Sequence, residues 1–458
     1  MNTKNVTHPV DEVLPLRQLV TYGLQHVLVM YAGAVAVPLI LGSALGLTTA
    51  QVVTLINANL LTSGIATMIQ CLGFWKFGAR LPMIQGCSFI ALAPMIMIGK
   101  QYGLASVFGA VITAGIATIV LAPFFSRLLR FFPPVVIGSL ITIIGISLMP
   151  AAAIWLGGGN PDSDEFGSMS NLLLGLGTIA ITLFIYARFK GFIGNLSVLL
   201  GLIAGTAVAA VFGLTNFVPV SEAVWFEVSP PFAFGLPSFG LGPTLVMTLA
   251  MLVIMAETTG NCLAIGKIVG KPCNQQTLGN AFRADGLSTV LGGIFNSFPY
   301  NAFTQNTGLI ALSNVKSRYV VASAGAIMVL MGLFPKLGAL IASVPRPVLG
   351  GCAIIMFGMT TVAGIQELSR VKFDGTRNAL IVAVSISIGV LPMSFPALFQ
   401  HSSGTLKFVL ESGIFLGAIT AILLNALLNG NNTHQETQDT EFAILSSNVA
   451  CTQTSKNL

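Results

Sequence analysis

Apolar runs close to bilayer-crossing length recur along nearly the whole chain, and the polar residues cluster in the gaps between them. A helix needs about 17–25 such residues to cross the hydrocarbon core. On that rule the first half offers candidate spans at 19–41, 48–72, 82–99, 103–122, 133–150, 171–187 and 193–213. The second half offers 240–263, 279–295, 300–312, 319–335, 337–360, 378–396 and 408–428. The pattern therefore predicts an all-α polytopic membrane protein of about fourteen transmembrane segments. Residues 1–18 precede the first span, 19–213 and 240–430 form two seven-span halves, 214–239 is a connecting loop, and 431–458 is a polar tail expected to be disordered.

Two segments break the pattern. From Asn296 to Gly308 the chain reads Asn-Ser-Phe-Pro-Tyr-Asn-Ala-Phe-Thr-Gln-Asn-Thr-Gly, rich in amides and hydroxyls and interrupted by Pro299. Pro82 to Phe89, closed by Pro94, has the same character. Irregular polar backbone at membrane depth survives only where protein buries it or it lines a cavity. These are the third and tenth segments, in corresponding positions of the two halves, and paired interrupted segments point to a carrier's binding site. Pro299 to Thr304 reads as a short extended piece, after which Gln305 and Asn306 open a half-helix. Ser88 and Phe89 hold the equivalent opening in the earlier break. If the halves are inverted copies, the two extended pieces can hydrogen-bond to each other.

Composition narrows the class. Hydrophobic residues make up 54% and charged residues 8% of 458 positions, against roughly 25% charged in a soluble domain. The 49 glycines suit helices that pack closely in lipid. The net charge of +6 is not a nucleic-acid signal, because the basic residues are spread in ones and twos. With the N-terminus placed inside, all Lys and Arg except Lys100, Lys336, Lys407 and the ambiguous Arg346 fall in inner loops. That follows the positive-inside rule and places both termini in the cytoplasm. An odd number of spans per half makes the second half enter from the opposite side, an inverted repeat. The six cysteines lack metal-site spacing and read as packing residues. No cleavable leader is evident before the first span, which is expected to serve as its own insertion signal.

Ionisable groups within spans are costly and so mark function. Glu257, in Met255-Ala256-Glu257-Thr258-Thr259-Gly260-Asn261, follows a uniformly apolar stretch. A carboxyl held there away from water is a candidate for proton exchange, and Asn261 shares its helical face four residues on. Asp285 follows Arg283 at the start of the ninth span, and His26 sits beside Gln25 in the first. A carboxylate, a carboxamide, two helix N-termini and an aromatic face fit a flat heterocycle with imide and amide edges. Glu257 accepts N–H bonds, Gln305 offers a donor and an acceptor, and Phe89 stacks on the ring.

Over residues 15–430 the chain resembles the nucleobase–ascorbate transporters, also called nucleobase–cation symporter family 2, and among them the bacterial uric acid and xanthine permeases. The signature of that family falls on Gln305-Asn306-Thr307-Gly308 and ends at Ser313-Asn314, where Ser and Asn stand for the usual Thr and Arg, Lys or Gly. The resemblance also rests on Gln25-His26, Phe89, Glu257 and Asp285. It implies seven plus seven inverted repeats divided into a core and a gate domain, a homodimer, and a bacterial cytoplasmic membrane. It further implies that Glu257 and Gln305 bind a purine, with Ser88 beside the stacking Phe89, and that Asp285, with Glu257, serves proton coupling. Asn306 and His26 would shape affinity, and Asn261, Thr307 and Ser313 selectivity. Asn261 stands where several xanthine carriers have Asp and the uracil branch has His, which favours urate over xanthine and speaks against uracil. No cofactor beyond the coupled proton is expected, no metal, and no nucleic-acid partner.

Two rival readings differ in class. An anion carrier of the same architecture would place positive charge or bare helix ends at the site, whereas this chain places a carboxylate there. An intramembrane zinc enzyme needs clustered His, Cys or carboxylates. Only four His exist, and His8 and His434 lie in the terminal segments.

Overall fold

The computed structural model describes residues 8–124, 132–374, 377–399, 401 and 410–429. The tail expected from 431 lies outside them. The first half builds α1 (Leu16–Ala44), α2 (Thr49–Leu72), strand β1 (Gln85–Cys87), α3 (Leu92–Tyr102) and α4 (Leu104–Leu121). It continues with α5 (Pro134–Ser147), α6 (Met149–Leu156), α7 (Met169–Arg188) and α8 (Ser197–Val211). The second half builds α9 (Leu241–Val269), α10 (Gln275–Ile294), β2 (Tyr300–Ala302), α11 (Thr304–Ser313) and α12 (Arg318–Gly332). It closes with α13 (Pro335–Ala342), α14 (Arg346–Leu368), α15 (Asn378–Ser394) and α16 (Gly413–Asn429).

Among the described residues, seven helices are long and apolar enough to cross a bilayer. An eighth span results if α12 and α13, bent by 81° at their junction, are taken together. Four further apolar helices are shorter. The run 337–360, read from the sequence as one span, is cut: α13 ends at Ala342 and α14 starts at Arg346. Pro345 precedes the new helix and Pro347 lies in its first turn, and a proline disfavours helical backbone in the residue before it. An apolar count cannot register that interruption.

The two polar breaks meet. β1 and β2 pair antiparallel, with Gln85 opposite Ala302, Gly86 opposite Asn301 and Cys87 opposite Tyr300. The pairing continues on both sides, Ser88 N donating to Pro299 O at 2.9 Å and Phe303 N to Ile84 O at 3.0 Å. A two-stranded ribbon leaves its outer edges unpaired, and buried backbone groups require partners. Thr67 and Thr289 supply them: Gln85 N donates to Thr67 Oγ1 at 2.9 Å, and Tyr300 N to Thr289 Oγ1 at 3.2 Å. Each strand then runs into a half-helix, α11 directly and α3 through a turn that Ser88 caps by accepting from Ile90 N.

Around this crossing the helices form two bundles. α1–α4 pack with α9–α12, and α5–α8 pack with α14–α16. In the first bundle α2 lies on α12 as α10 lies on α4, and α1 lies on α12 as α9 lies on α4. Glycines set both close approaches. A Cβ on Gly64 would stand 2.4 Å from Gly325 O, and one on Gly325 2.8 Å from Gly64 O. Gly115 and Gly286 repeat the arrangement at 2.7 and 2.8 Å. At one end of α14, Arg346 Nη1 reaches across to Ser43 Oγ of α1 at 2.5 Å.

Candidate functional site

A cavity of about 660 Å³ lies between the bundles. The crossing and α9 form its inner end, through Phe89, Glu257, Asn261, Asn301, Thr304 and Gln305. The other bundle supplies an apolar wall from α5 and α14, including Ile137, Ile141 and Met359. Gln275, Gln366, Glu367 and Arg370 stand at the far end, beside the C-terminus of α14.

Glu257 faces this space from the middle of α9. Its Oε2 accepts from Asn301 Nδ2 of β2 at 2.5 Å. One turn on, Asn261 Nδ2 donates to Ala302 O at 3.0 Å. The carboxylate and the strand are therefore fixed to each other at two points, as the four-residue spacing on one helix face dictates. Phe89 is half-buried, its ring edge-on to Phe357 of α14 at 5.9 Å and 76°. Gln305, in the first turn of α11, is exposed to the cavity. Four of the residues singled out from the sequence, Phe89, Glu257, Asn261 and Gln305, thus line one space.

The others lie behind it. Asp285 is fully buried on α10, away from the cavity lining. Its Oδ1 accepts from Gln70 Nε2 at 3.0 Å and its Oδ2 from Thr258 Oγ1 at 2.7 Å. His26 and Asn306 are buried together, Asn306 Nδ2 donating to His26 Nδ1 at 3.1 Å and to His26 O at 2.9 Å. This contact ties the first turn of α11 to α1. Ser88 is buried and spent on its cap. Ser313 ends α11 and accepts from Val315 N, while Thr307 Oγ1 is buried without a partner among the described residues. Arg283, two residues before Asp285, donates to Asn280 Oδ1 at 3.0 Å.

Sequence reasoning passed over Gln70, Gln85, Thr258 and Asn301, which hold the two carboxyls. The signal available was the density of amides at the breaks, but which amide meets which acid depends on how α2, α9 and α10 pack. The five described cysteines are buried and unbridged.

Two bundles meeting over a pair of crossed, half-helical segments, with a carboxylate at the crossing, define a membrane carrier. The sequence pattern of the Permease family (Xan_ur_permease) matches residues 17–398, and the chain belongs to that family. It is 47% identical over 409 residues to the uric acid permease PucK of Bacillus subtilis (strain 168), covering 89% of this chain and 95% of that protein. The xanthine permease of the same organism is 42% identical, covering 89% and 93%. The uric acid transporter UacT of Escherichia coli (strain K12) is 40% identical, covering 94% and 90%. Among solved structures, SLC26A9 superimposes with a TM-score of 0.63 at 12% identity, over 90% of this chain and 66% of that one. The transmembrane domain of the cyanobacterial bicarbonate transporter BicA gives 0.54 at 17%, over 91% and 99%. At such identities the likeness concerns the fold alone.

Proposed function

We propose that this protein is a proton-coupled secondary transporter that imports an oxidised purine, uric acid, xanthine or both, across the cytoplasmic membrane of a bacterium. The observation that carries the reading is Glu257, held at the strand crossing by Asn301 and facing the cavity between the bundles beside Phe89 and Gln305. A carboxylate there calls for a ligand with N–H donors, and an aromatic ring and a carboxamide beside it call for a planar ring with amide-like edges. Relatives bearing the names of uric acid and xanthine permeases support the same chemistry. Glu257 and Gln305 contact the purine, Phe89 stacks on it, and Asn261 and Ser88 fix the backbone around it. Asn306 and His26 set the position of α11, with Thr307 and Ser313 further along the same helix tuning selectivity.

In this reading the chain comprises seven plus seven inverted repeats, 19–213 and 240–430, joined by the loop 214–239. The matched packing of α2 on α12 and α10 on α4 supports it, as do the paired glycine contacts and the paired threonine bonds to the strand edges. The bundle carrying the crossing is the moving core; the other is the gate and the contact surface of a homodimer. Both termini face the cytoplasm, so the cavity mouth at Gln275 and Arg370 opens inward. The coupled proton resides on Asp285 or Glu257 and favours the loaded, inward-moving state. The protein transports its ligand unchanged.

A carrier for another nucleobase, uracil or hypoxanthine and guanine, is the nearest alternative, because the lining does not itself choose among planar bases. The anion transporters of similar fold supply a second, which the carboxylate at the crossing disfavours. One experiment separates them: uptake of labelled urate and xanthine by expressing cells, each challenged with uracil, hypoxanthine, guanine, sulfate and bicarbonate, with and without a protonophore. Competition by oxidised purines and loss of accumulation with protonophore are expected. Purine-insensitive uptake of an inorganic anion, or accumulation indifferent to protonophore, overturns the proposal.

A further inference from the structure

The two acids, Asp285 and Glu257, do not touch, yet an unbroken set of polar contacts joins them through β1 and β2. Gln85, the first residue of β1, is buried against Asp285. With its amide turned so that both ends are satisfied, its Nε2 donates to Asp285 Oδ1 at 3.2 Å and to Asn301 O at 3.1 Å. Asn301 is the residue whose own side-chain amide donates to Glu257. The order is Asp285, Gln85, Asn301, Glu257, with Thr258, the neighbour of Glu257 on α9, closing the loop back to Asp285. Every member except the half-buried Glu257 is buried.

Ionised Asp285 satisfies three donors at once, from Gln70, Gln85 and Thr258. A proton added to it meets unequal neighbours. On Oδ2 the Thr258 hydroxyl can rotate and accept, because a hydroxyl both donates and accepts. On Oδ1 the two amide nitrogens can only donate. The proton therefore goes to Oδ2, and the bonds that weaken are those to Gln70 and Gln85, since a hydrogen bond to a charged acceptor is about twice as strong as one between neutral groups. Gln70 has alternatives: its Nε2 also reaches Ala281 O at 3.3 Å, and its Oε1 holds Ala79 N at 2.9 Å. For Gln85 the remaining acceptor is the Asn301 carbonyl. Loss of charge at Asp285 is thereby delivered to β2 and to the side chain that occupies one oxygen of Glu257.

We infer that Gln85 and Asn301 are positioning residues that transmit the charge state of Asp285 to the purine site, so that proton and purine binding are linked through the strand pair rather than by direct contact. The inference rests on the proposed transport function and deepens it. The other ionisable groups near Asp285 are Cys262 on α9, itself beside Cys273, and Glu257; Tyr300 lies on the opposite strand edge, bonded to Ser297, Thr62 and Asn59.

The test is binding of urate to the purified full-length chain over a pH window in which urate stays a monoanion. Proton uptake is read independently by calorimetry in buffers of different ionisation enthalpy. In the wild type, affinity is expected to fall by up to about tenfold per pH unit where one linked proton is lost. Gln85→Met should still bind urate at the low end of the window within about fivefold of wild type, with the slope and the proton uptake reduced to less than about half. Asn301→Ala should flatten the slope in the same way, and stands in if Gln85→Met does not fold. An unchanged slope and proton count in either folded variant overturns the inference. A wild type that binds urate with no proton uptake overturns proton coupling itself and the inference with it; a wild type that binds no purine overturns the proposed function first.

Discussion

Glu257 has little freedom to point elsewhere. Asn301 Nδ2 holds one of its oxygens, and Asn261, a turn away, pins the strand that carries Asn301. A ligand N–H bound as proposed would meet a carboxylate that is already oriented, so binding need not order it first. Glu257→Gln keeps the shape and removes the charge. A hydrogen bond to a charged partner contributes about 1.5–3 kcal/mol, so urate binding should weaken by roughly 10- to 150-fold. Equilibrium binding to purified protein checks this, and wild-type affinity in the variant would defeat the assignment. The identity of this acid was legible from its apolar surroundings in the sequence. That Asp285 stands off the cavity was not, because a carboxylate near a span boundary reads the same whether it faces a ligand or a packed neighbour.

The crossed strands depend on close helix approach. Gly64 and Gly325 bring α2 against α12, and Gly115 and Gly286 bring α4 against α10, each with a backbone carbonyl where a Cβ would lie. Carbonyls cannot yield as a flexible side chain can. Gly64→Val should destabilise by at least about 1–3 kcal/mol, the usual cost of overpacking. Gly308→Ala, with open space around it, should be neutral or stabilising by up to about 1 kcal/mol. Thermal unfolding in detergent compares the two, and equal midpoints would contradict the packing argument. The breaks themselves were readable from amides and prolines inside apolar sequence. The cut between α13 and α14 was not, because both pieces lie within one apolar run and only the helix start after Pro345 separates them.

Across the molecule, α14 lines the cavity at one end and touches the other bundle at its opposite end. Its 23 residues span about 35 Å at 1.5 Å per residue. Arg346 bonds to Ser43 at the start of the helix, while Glu367 and Arg370, at and beyond its end, line the cavity. In the proposed alternation, rocking of one bundle against the other parts Ser43 from Arg346. Cross-linking a Ser43→Cys, Arg346→Cys pair should therefore block net uptake, reversibly on reduction, while purine still reaches the site from the mouth side. Undiminished uptake by the cross-linked protein would rule out movement at this contact.

The sequence alone determined that the chain lives in lipid, where its two halves are interrupted and which acid is surrounded by apolar residues. Those features follow from solvent: hydrocarbon admits few charges and no unpaired backbone, so each exception is conspicuous in one dimension. Only the tertiary structure decided that the two interruptions pair strand to strand, that Gln85 and Asn301 stand between the acids, and that His26 grips Asn306 behind the cavity. Those contacts join residues separated by scores to hundreds of positions, and hydropathy carries no information about which polar groups satisfy one another.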